Sequence, residues 1–346
     1  MTSTENLNRI FVTGITKAFR IVVFVGMGMV VSTPLFAAER AGHLPRIGVL
    51  WFGLVDRWVN AFHEGLRENG YIDGATAVID IRKAGEKPEL GPRLAGELIA
   101  MDPDVIYAVP ITFATDVAEA EKRAGKQIPI VALMWDPVGD GLVASAAHPG
   151  GNITGVALTP APEELMTKHL QLLKEMVPRL KRIACLIDTT WERRASLQTK
   201  AALEKAGPKF GVRVDSIHVE GPGDLERALS EVVRKRVDAM IVSPSPVSLA
   251  TRGRIIRFAS EHHLPTAYWE EVFAYEGGLM SYGGSVADRY RVAAGVVAKI
   301  LHGAKPADIP VDYSIRFRLV VNLRTAKALG IRIPESALIQ ADEVIK

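Results

Sequence analysis

A single cysteine, Cys185, stands among 346 residues, so no internal disulfide can form and the fold must be held by its apolar cores. It lies in the apolar run IACLI, the setting of a buried structural thiol rather than a reactive one. The sequence contains no G-x-S-x-G elbow, no H-E-x-x-H pair and no P-loop, so no catalytic motif supports hydrolysis or nucleotide chemistry. Lys and Arg are not clustered and the formal net charge is only +3, which excludes a nucleic-acid surface. The lone histidine in the glycine-rich block, His148, makes neither a metal site nor an acid–base pair, and no cofactor is expected.

What is present begins with a short export signal. Arg9, Lys17 and Arg20 precede the apolar run IVVFVGMGMVV from Ile21 to Val31, and the small pair Ala37 and Ala38 follows Pro34. Basic flank, short apolar core and small residues together read as a secretory signal over residues 1–38, cleaved near Ala37 or Ala38. The core is too short for a comfortable bilayer span, which needs about 18 to 20 residues, so an uncleaved anchor is the secondary reading. The mature chain is expected in the periplasm with a net charge of +1. Its length suits two lobes better than one core.

From Arg46 onward, β-branched runs alternate with helical periods. RIGVL, AVIDI, VIYAV and IVALM are read as strands, separated by helices carrying Trp58, Phe62 and Leu66 and then Leu90, Leu94 and Leu98. A glycine-rich block, DPVGDGLVASAAHPGGNITG from Asp136 to Gly155, interrupts this rhythm, which then restarts with IACLI, VDSIHV, AMIVS, TAYW, GLMSY and FRLVVN. Two successive waves of this kind predict an α/β fold of two Rossmann-like lobes, each built on a parallel sheet with its helices on the faces.

In such sheets a ligand meets the carboxyl ends of the strands. That rule selects Trp51 and Phe52, Thr112 within Pro110–Thr112, and Trp135 and Asp136 in the first half, then Asp188 and Thr189 within Asp188–Thr190, Ser243 within Ser243–Ser245 and Trp269 within Tyr268–Glu270 in the second, with Tyr282 beside them. Each also has an ordinary structural role. Thr189 and Glu192 match a helix capping box, and Asp136 before Pro137 initiates turns. Trp58 and Phe62 have core spacing, whereas Trp51, Trp135 and Trp269 each end a strand, where a ring either lines a cleft or closes the lobe. Asp136 and Asp188 could also form an acid–base pair across the cleft of a secreted α/β enzyme.

The strings RIGVL, FHEGLRENGYIDG, IPIVALMWDPVGDGLVASAAHPGGNITG, GGLMSYGGSVADRYRVAAGVVAKILHGAKPADIPV and NLRTAKALGIRIPESALIQADEVI resemble the bacterial ABC-transporter substrate-binding family of the tryptophan/tyrosine-binding type. The resemblance implies a type I periplasmic binding protein, with a ligand cleft between lobes joined by three crossings. These are expected at Gly155–Pro160, Tyr275–Gly284 and Pro310–Ile315, giving one lobe of residues 45–157 plus 283–312 and another of 158–282 plus 313–346. It further implies a monomeric importer component, no enzyme, that binds a small molecule such as an aromatic or branched amino acid and serves an ABC permease and ATPase. The ligand's ammonium would seek Asp136 or Asp188, its carboxylate Thr112, and its side chain Trp51, Trp135 or Tyr282. Trp51, Trp135 and Trp191 depart from common members. A binding protein that presents its ligand to a membrane receptor would share this fold.

Overall fold

The computed structural model describes residues 44–346 apart from 54, 86, 159–161 and 191–192. The expected export signal, Trp191 and Glu192 lie outside the described residues. The first α/β wave folds as β1 (Arg46–Trp51), α1 (Asp56–Glu68), β2 (Val78–Lys83), α2 (Gly91–Ala100), β3 (Val105–Val109), α3 (Ile111–Ala124), β4 (Ile130–Met134) and β5 (Ile153–Ala157). These strands form one parallel sheet in the order β2-β1-β3-β4-β5. Strands β3, β4 and β5 are buried along their whole length, as continuous apolar runs under helices on both faces require.

The fifth strand was not expected, because ITGVA reads as the start of a crossing. Gly155 is what lets it pair: its φ is 153°, and a Cβ there would lie 2.0 Å from the Ala132 carbonyl oxygen on β4. A glycine inside a short apolar run thus marks close backbone approach rather than a break.

The second wave comprises α4 (Pro162–Met176), β6 (Arg182–Asp188), α5 (Arg193–Ala206), β7 (Arg213–Val219), α6 (Leu225–Lys235), β8 (Ala239–Val242), α7 (Pro246–Ala250), α8 (Arg252–Glu261), β9 (Thr266–Tyr268), α9 (Glu271–Tyr275) and β10 (Met280–Gly284). After α10 (Val286–Leu301) the chain adds β11 (Phe317–Asn322), α11 (Leu323–Ala328), α12 (Glu335–Gln340) and β12 (Glu343–Ile345). The second sheet runs β12-β11-β10-β9-β8-β6-β7. It is parallel except where β11 runs against β10, an exception to the parallel pattern expected from the sequence.

Helix α10 leaves the second sheet and packs on α1 and on β3, β4 and β5. Its Tyr290 ring meets Trp58 at 5.9 Å and stands edge-on to Tyr107 at 5.4 Å, while Tyr107 stacks on Phe62 at 4.4 Å. The stretch Tyr275–Gly284, expected as the second crossing, instead holds β10, and the chain passes to α10 through Ser285, whose hydroxyl caps the helix at the Asp288 amide. The segment after α10 pairs with the end of β5: the Ala157 N–H donates to the Asp312 carbonyl at 2.8 Å, and the Asp312 N–H to that of Gly155 at 3.0 Å. Arg289 of α10 donates to the Asp312 carboxylate at 3.0 Å. At Gly284 a Cβ would meet Ile315 at 2.7 Å, so the end of β10 and the segment before β11 run in contact. Among the described residues no helix is long and apolar enough to cross a membrane.

Candidate functional site

Both sheets direct their strand carboxyl ends toward one cavity, which opens to solvent. From the first sheet come Trp51 and Phe52 at the end of β1, Val109 and Pro110 at the end of β3, and Met134 and Trp135 at the end of β4. Helix α1 contributes Trp58, and α10 contributes Val286 and Tyr290. The second sheet contributes Ser245 and Pro246 after β8, Leu249 from α7, and Trp269 after β9. Four indole rings therefore surround one space, and among the described residues that line it there is no Lys, Arg or His. Among the described residues there is no cluster of three or more potential metal ligands.

The rings are fixed by second contacts. Phe52 stacks on Phe113 at 5.7 Å, and Lys83 places its ammonium 5.5 Å from the Trp51 ring centroid. Trp269 donates its indole N–H to the Ser248 hydroxyl at 3.3 Å and leans on Phe273. The Trp51 N–H is buried without a hydrogen-bond partner, an open donor on the cavity wall.

Of the positions selected from sequence, Trp51, Phe52, Trp135 and Trp269 line this cavity, and Thr112, Asp136, Asp188, Thr189, Ser243 and Tyr282 do not. Thr112 is exposed on α3, and Thr189 is exposed, its hydroxyl turned to the Val219 carbonyl at 3.4 Å. Asp136 accepts from the Gly139 N–H at 3.0 Å and pairs with Arg194 at 3.0 Å, which turns it away from the ligand space. The Ser243 backbone is bonded to its neighbours, its N–H to Leu186 and its carbonyl to the Ser248 hydroxyl. Tyr282 stacks on Phe317 at 5.5 Å and packs into the core around α4. Because side chains alternate along a strand, Tyr282 points to the face of the sheet opposite its neighbours.

Asp188 has a different setting. It lines a second, smaller chamber with Leu186, Val219, Ser248 and Thr251, and Ser245 lines both chambers. Its Oδ1 accepts from the Thr190 N–H at 2.9 Å and the Thr190 hydroxyl at 2.7 Å, while Oδ2 is buried without a partner. Each aspartate thus serves its own turn, Asp136 with Gly139 and Arg194 and Asp188 with Thr190, and no hydrogen bond couples the two as an acid–base pair among the described residues.

Sequence reasoning missed Trp58 and Tyr290, because helical spacing assigns them to the core. They are core residues that also face the cavity, since α1 and α10 meet it with their first turns. Glu270, the last residue of the strand-end stretch Tyr268–Glu270 selected from sequence, does not line the cavity. Glu270 is 1% exposed and caps α9 by accepting from the Val272 N–H at 2.6 Å. Burial pushes its pKa up to about 7, with Glu271 adding to the rise and the Val272 N–H, Arg57 and the Trp58 indole opposing it. Beside it, Arg57 of α1 pairs with the buried Glu271 of α9 and sits 5.3 Å from the Tyr275 ring centroid. The two sheets are consequently joined across the cavity by ion pairs at two places, Arg57 with Glu271 and Arg194 with Asp136.

The arrangement can take up an aromatic group, and among the described residues that line it there is no nucleophile–base pair. Comparison with known proteins agrees. A tyrosine-binding protein of Clostridioides difficile (strain R20291) is 26% identical over 279 residues, covering 80% of this chain and 78% of that protein. The ABC domain from Streptococcus pneumonia solved in complex with L-Trp superposes with a TM-score of 0.78 at 27% identity, covering 88% of this chain and 100% of that one. A ligand-free, open substrate-binding protein with adhesive properties from Clostridium difficile is 25% identical over the same share of each chain but gives a TM-score of 0.63. At nearly equal identity the likeness is greater to the ligand-bound form, as expected where ion pairs already bridge the two sheets. These relatives are binding proteins, not enzymes, and the fold is that of the type I periplasmic binding proteins. With residues 54–345 matching the family model for ABC transporter substrate binding proteins, the chain belongs to that family.

Proposed function

We propose that this protein is the extracytoplasmic solute-binding component of an ABC importer and that it captures an aromatic amino acid by closing two lobes around it. The observation that carries this reading is the cavity walled by Trp51, Trp58 and Trp135 from one side and Trp269 from the other. Burying an aromatic side chain of roughly 150–250 Å² stabilises a complex by about 4–6 kcal/mol before ordering costs. That is over half of the roughly 8 kcal/mol of a micromolar complex, so ring recognition dominates and polar groups supply the remainder. A branched aliphatic amino acid fills less of the space and leaves rings uncovered.

In this reading residues 45–157 with 283–312 move against residues 158–282 with 313–346, and residues 1–38 direct export to the periplasm. The protein acts as a monomer and delivers its ligand to a permease driven by a cytoplasmic ATPase. The tyrosine-binding relative and the L-Trp complex support the ligand class.

Thermal denaturation of the purified protein with L-tryptophan, L-tyrosine, L-phenylalanine, L-leucine and a panel of sugars tests the assignment. Ligand at about 100 times its Kd adds about 2.7 kcal/mol to stability, enough to raise Tm by several degrees. Stabilisation by a sugar, with none by any aromatic amino acid, would overturn the proposal.

A further inference from the structure

The contact between α1 and α9 holds more acid than it can match. Trp58, which lines the aromatic cavity from α1, lies against Glu270, the residue that caps α9. Glu270 is 1% exposed; its Oε2 accepts from the Val272 N–H, and its Oε1 is buried without a partner. The Trp58 indole N–H is buried as well and acts on this carboxyl as a donor, yet it completes no hydrogen bond. A buried donor beside the first sheet therefore stands near a buried acceptor beside the second, and neither is satisfied.

The charged groups around Glu270 fall one cation short. Glu271 and Tyr275 come from α9, Glu343 from β12, Arg57 from α1 and Arg318 from β11. Arg57 and Arg318 both pair with Glu271, Arg318 also reaches Glu343 at 3.1 Å, and the Tyr275 hydroxyl donates to Glu343 at 2.9 Å. Glu276, past the other end of α9, is matched by Arg252 at 2.9 Å. Three carboxyls, those of Glu270, Glu271 and Glu343, thus share two guanidiniums, and both guanidiniums pair with the other two. One proton balances the set. Burial places it on Glu270, whose pKa rises to about 7.

We propose that Glu270 couples closure to proton uptake: it is ionised when α1 stands away from α9 and protonated when Trp58 closes over it, so ligand is held more firmly in acid than in alkali. This rests on the two-lobe closure proposed above and adds a regulation to it. Glu270 is a positioning residue, since it acts through Trp58 and does not line the cavity. Opening returns the carboxyl to water and its value toward 4.5, while the Val272 cap, which belongs to α9, is kept. Between pH 4.5 and 7 the closed form therefore binds more protons than the open form, with ligand or without. A ligand that selects the closed form gains affinity as pH falls through that window.

Titration calorimetry with L-tryptophan and L-tyrosine from pH 5 to pH 8 tests the coupling, because neither amino acid titrates in that range. Affinity should fall about 10-fold or more between pH 5 and pH 7, reaching about 40-fold where the free protein is fully open. Heats measured at pH 6 in buffers of different ionisation enthalpy should show about half a proton or more taken up per ligand. Glu270→Gln keeps the cap and cannot ionise, so it should bind with no slope and no uptake, and more tightly than wild type at pH 7. A residue that only supported the fold would weaken binding when replaced. Trp58→Phe keeps a ring in the cavity and removes the N–H that favours the ionised carboxyl, so its slope should extend above pH 7. A change of less than about 3-fold between pH 5 and pH 7, or a slope that persists in Glu270→Gln, overturns the coupling and leaves the aromatic cavity standing. Binding of neither amino acid at any pH overturns the aromatic reading and the coupling together.

Discussion

Replacing Glu270 by glutamine should expose a pH dependence that the wild-type protein conceals. In the fold Glu270 is raised from the ordinary 4.5 to about 7 by burial, so between those values the native state holds a proton that the unfolded chain has released. Its contribution is fully present below pH 4.5 and is lost as pH rises through 7, amounting to about 3 kcal/mol. His169 works in the opposite sense. It is fully buried, its Nε2–H donates to the Tyr282 carbonyl at 2.6 Å, and burial lowers its pKa from 6.5 to about 4. Its contribution is present above pH 6.5 and is lost as pH falls through 4, again about 3 kcal/mol. Over the shared window of pH 4.5 to 6.5 these two slopes cancel. Glutamine keeps the cap on Val272 and cannot ionise, so Glu270→Gln should leave the His169 slope uncovered. The variant's stability relative to wild type should rise by about 3 kcal/mol from pH 4.5 to pH 7, which moves a urea midpoint by about 1 M at a slope near 3 kcal/mol per molar. Urea unfolding at half-unit pH steps measures this directly. Parallel curves for the two proteins would refute the buried-carboxyl argument.

The two ion pairs across the cavity should differ in weight. Arg57→Ala leaves the 5%-exposed Glu271 carboxylate with Arg318 alone and should weaken ligand binding about 10-fold, mainly through faster release. Arg194→Ala removes a pair that is more than half exposed on the arginine side and should cost less than about 3-fold, as stopped-flow dissociation rates will report. Gly155→Ala forces a Cβ to within 2.0 Å of a backbone oxygen and should destabilise the protein by about 3 kcal/mol or more, read from its urea midpoint. The Cys185 thiol is fully buried with its pKa pushed up, so a thiol reagent at pH 8 should label the unfolded chain within minutes and spare the native protein.

The alternation of β-branched runs and amphipathic helices was enough to read the two α/β waves, because buried parallel strands must be continuously apolar. What escaped was short or punctuated. Strand β5 carries Gly155 at its centre, and β12 has only three residues, Glu343–Ile345. At the site, the strand-end rule located Trp51, Phe52, Trp135 and Trp269 because those rings follow strands directly. Trp58 and Tyr290 escaped because a helix position can serve core and cavity at once, and helical spacing encodes only the first. The distinction between Asp136 and Asp188 depends on what each carboxylate meets in space: Arg194 closes one, and the other keeps an oxygen open.

The return of α10 to the first sheet has a consequence for the order in which this molecule can be made. Chains commonly acquire native structure from the amino-terminal end while synthesis continues, at roughly 5–20 residues per second. Here the first sheet is complete by Ala157, yet its covering helix, with Tyr290, Ala293, Ala294 and Val297, is not made until Leu301. Everything between belongs to the other sheet. A nascent chain therefore cannot finish its early half before its late half exists, and the two halves become native together, near the end of translation.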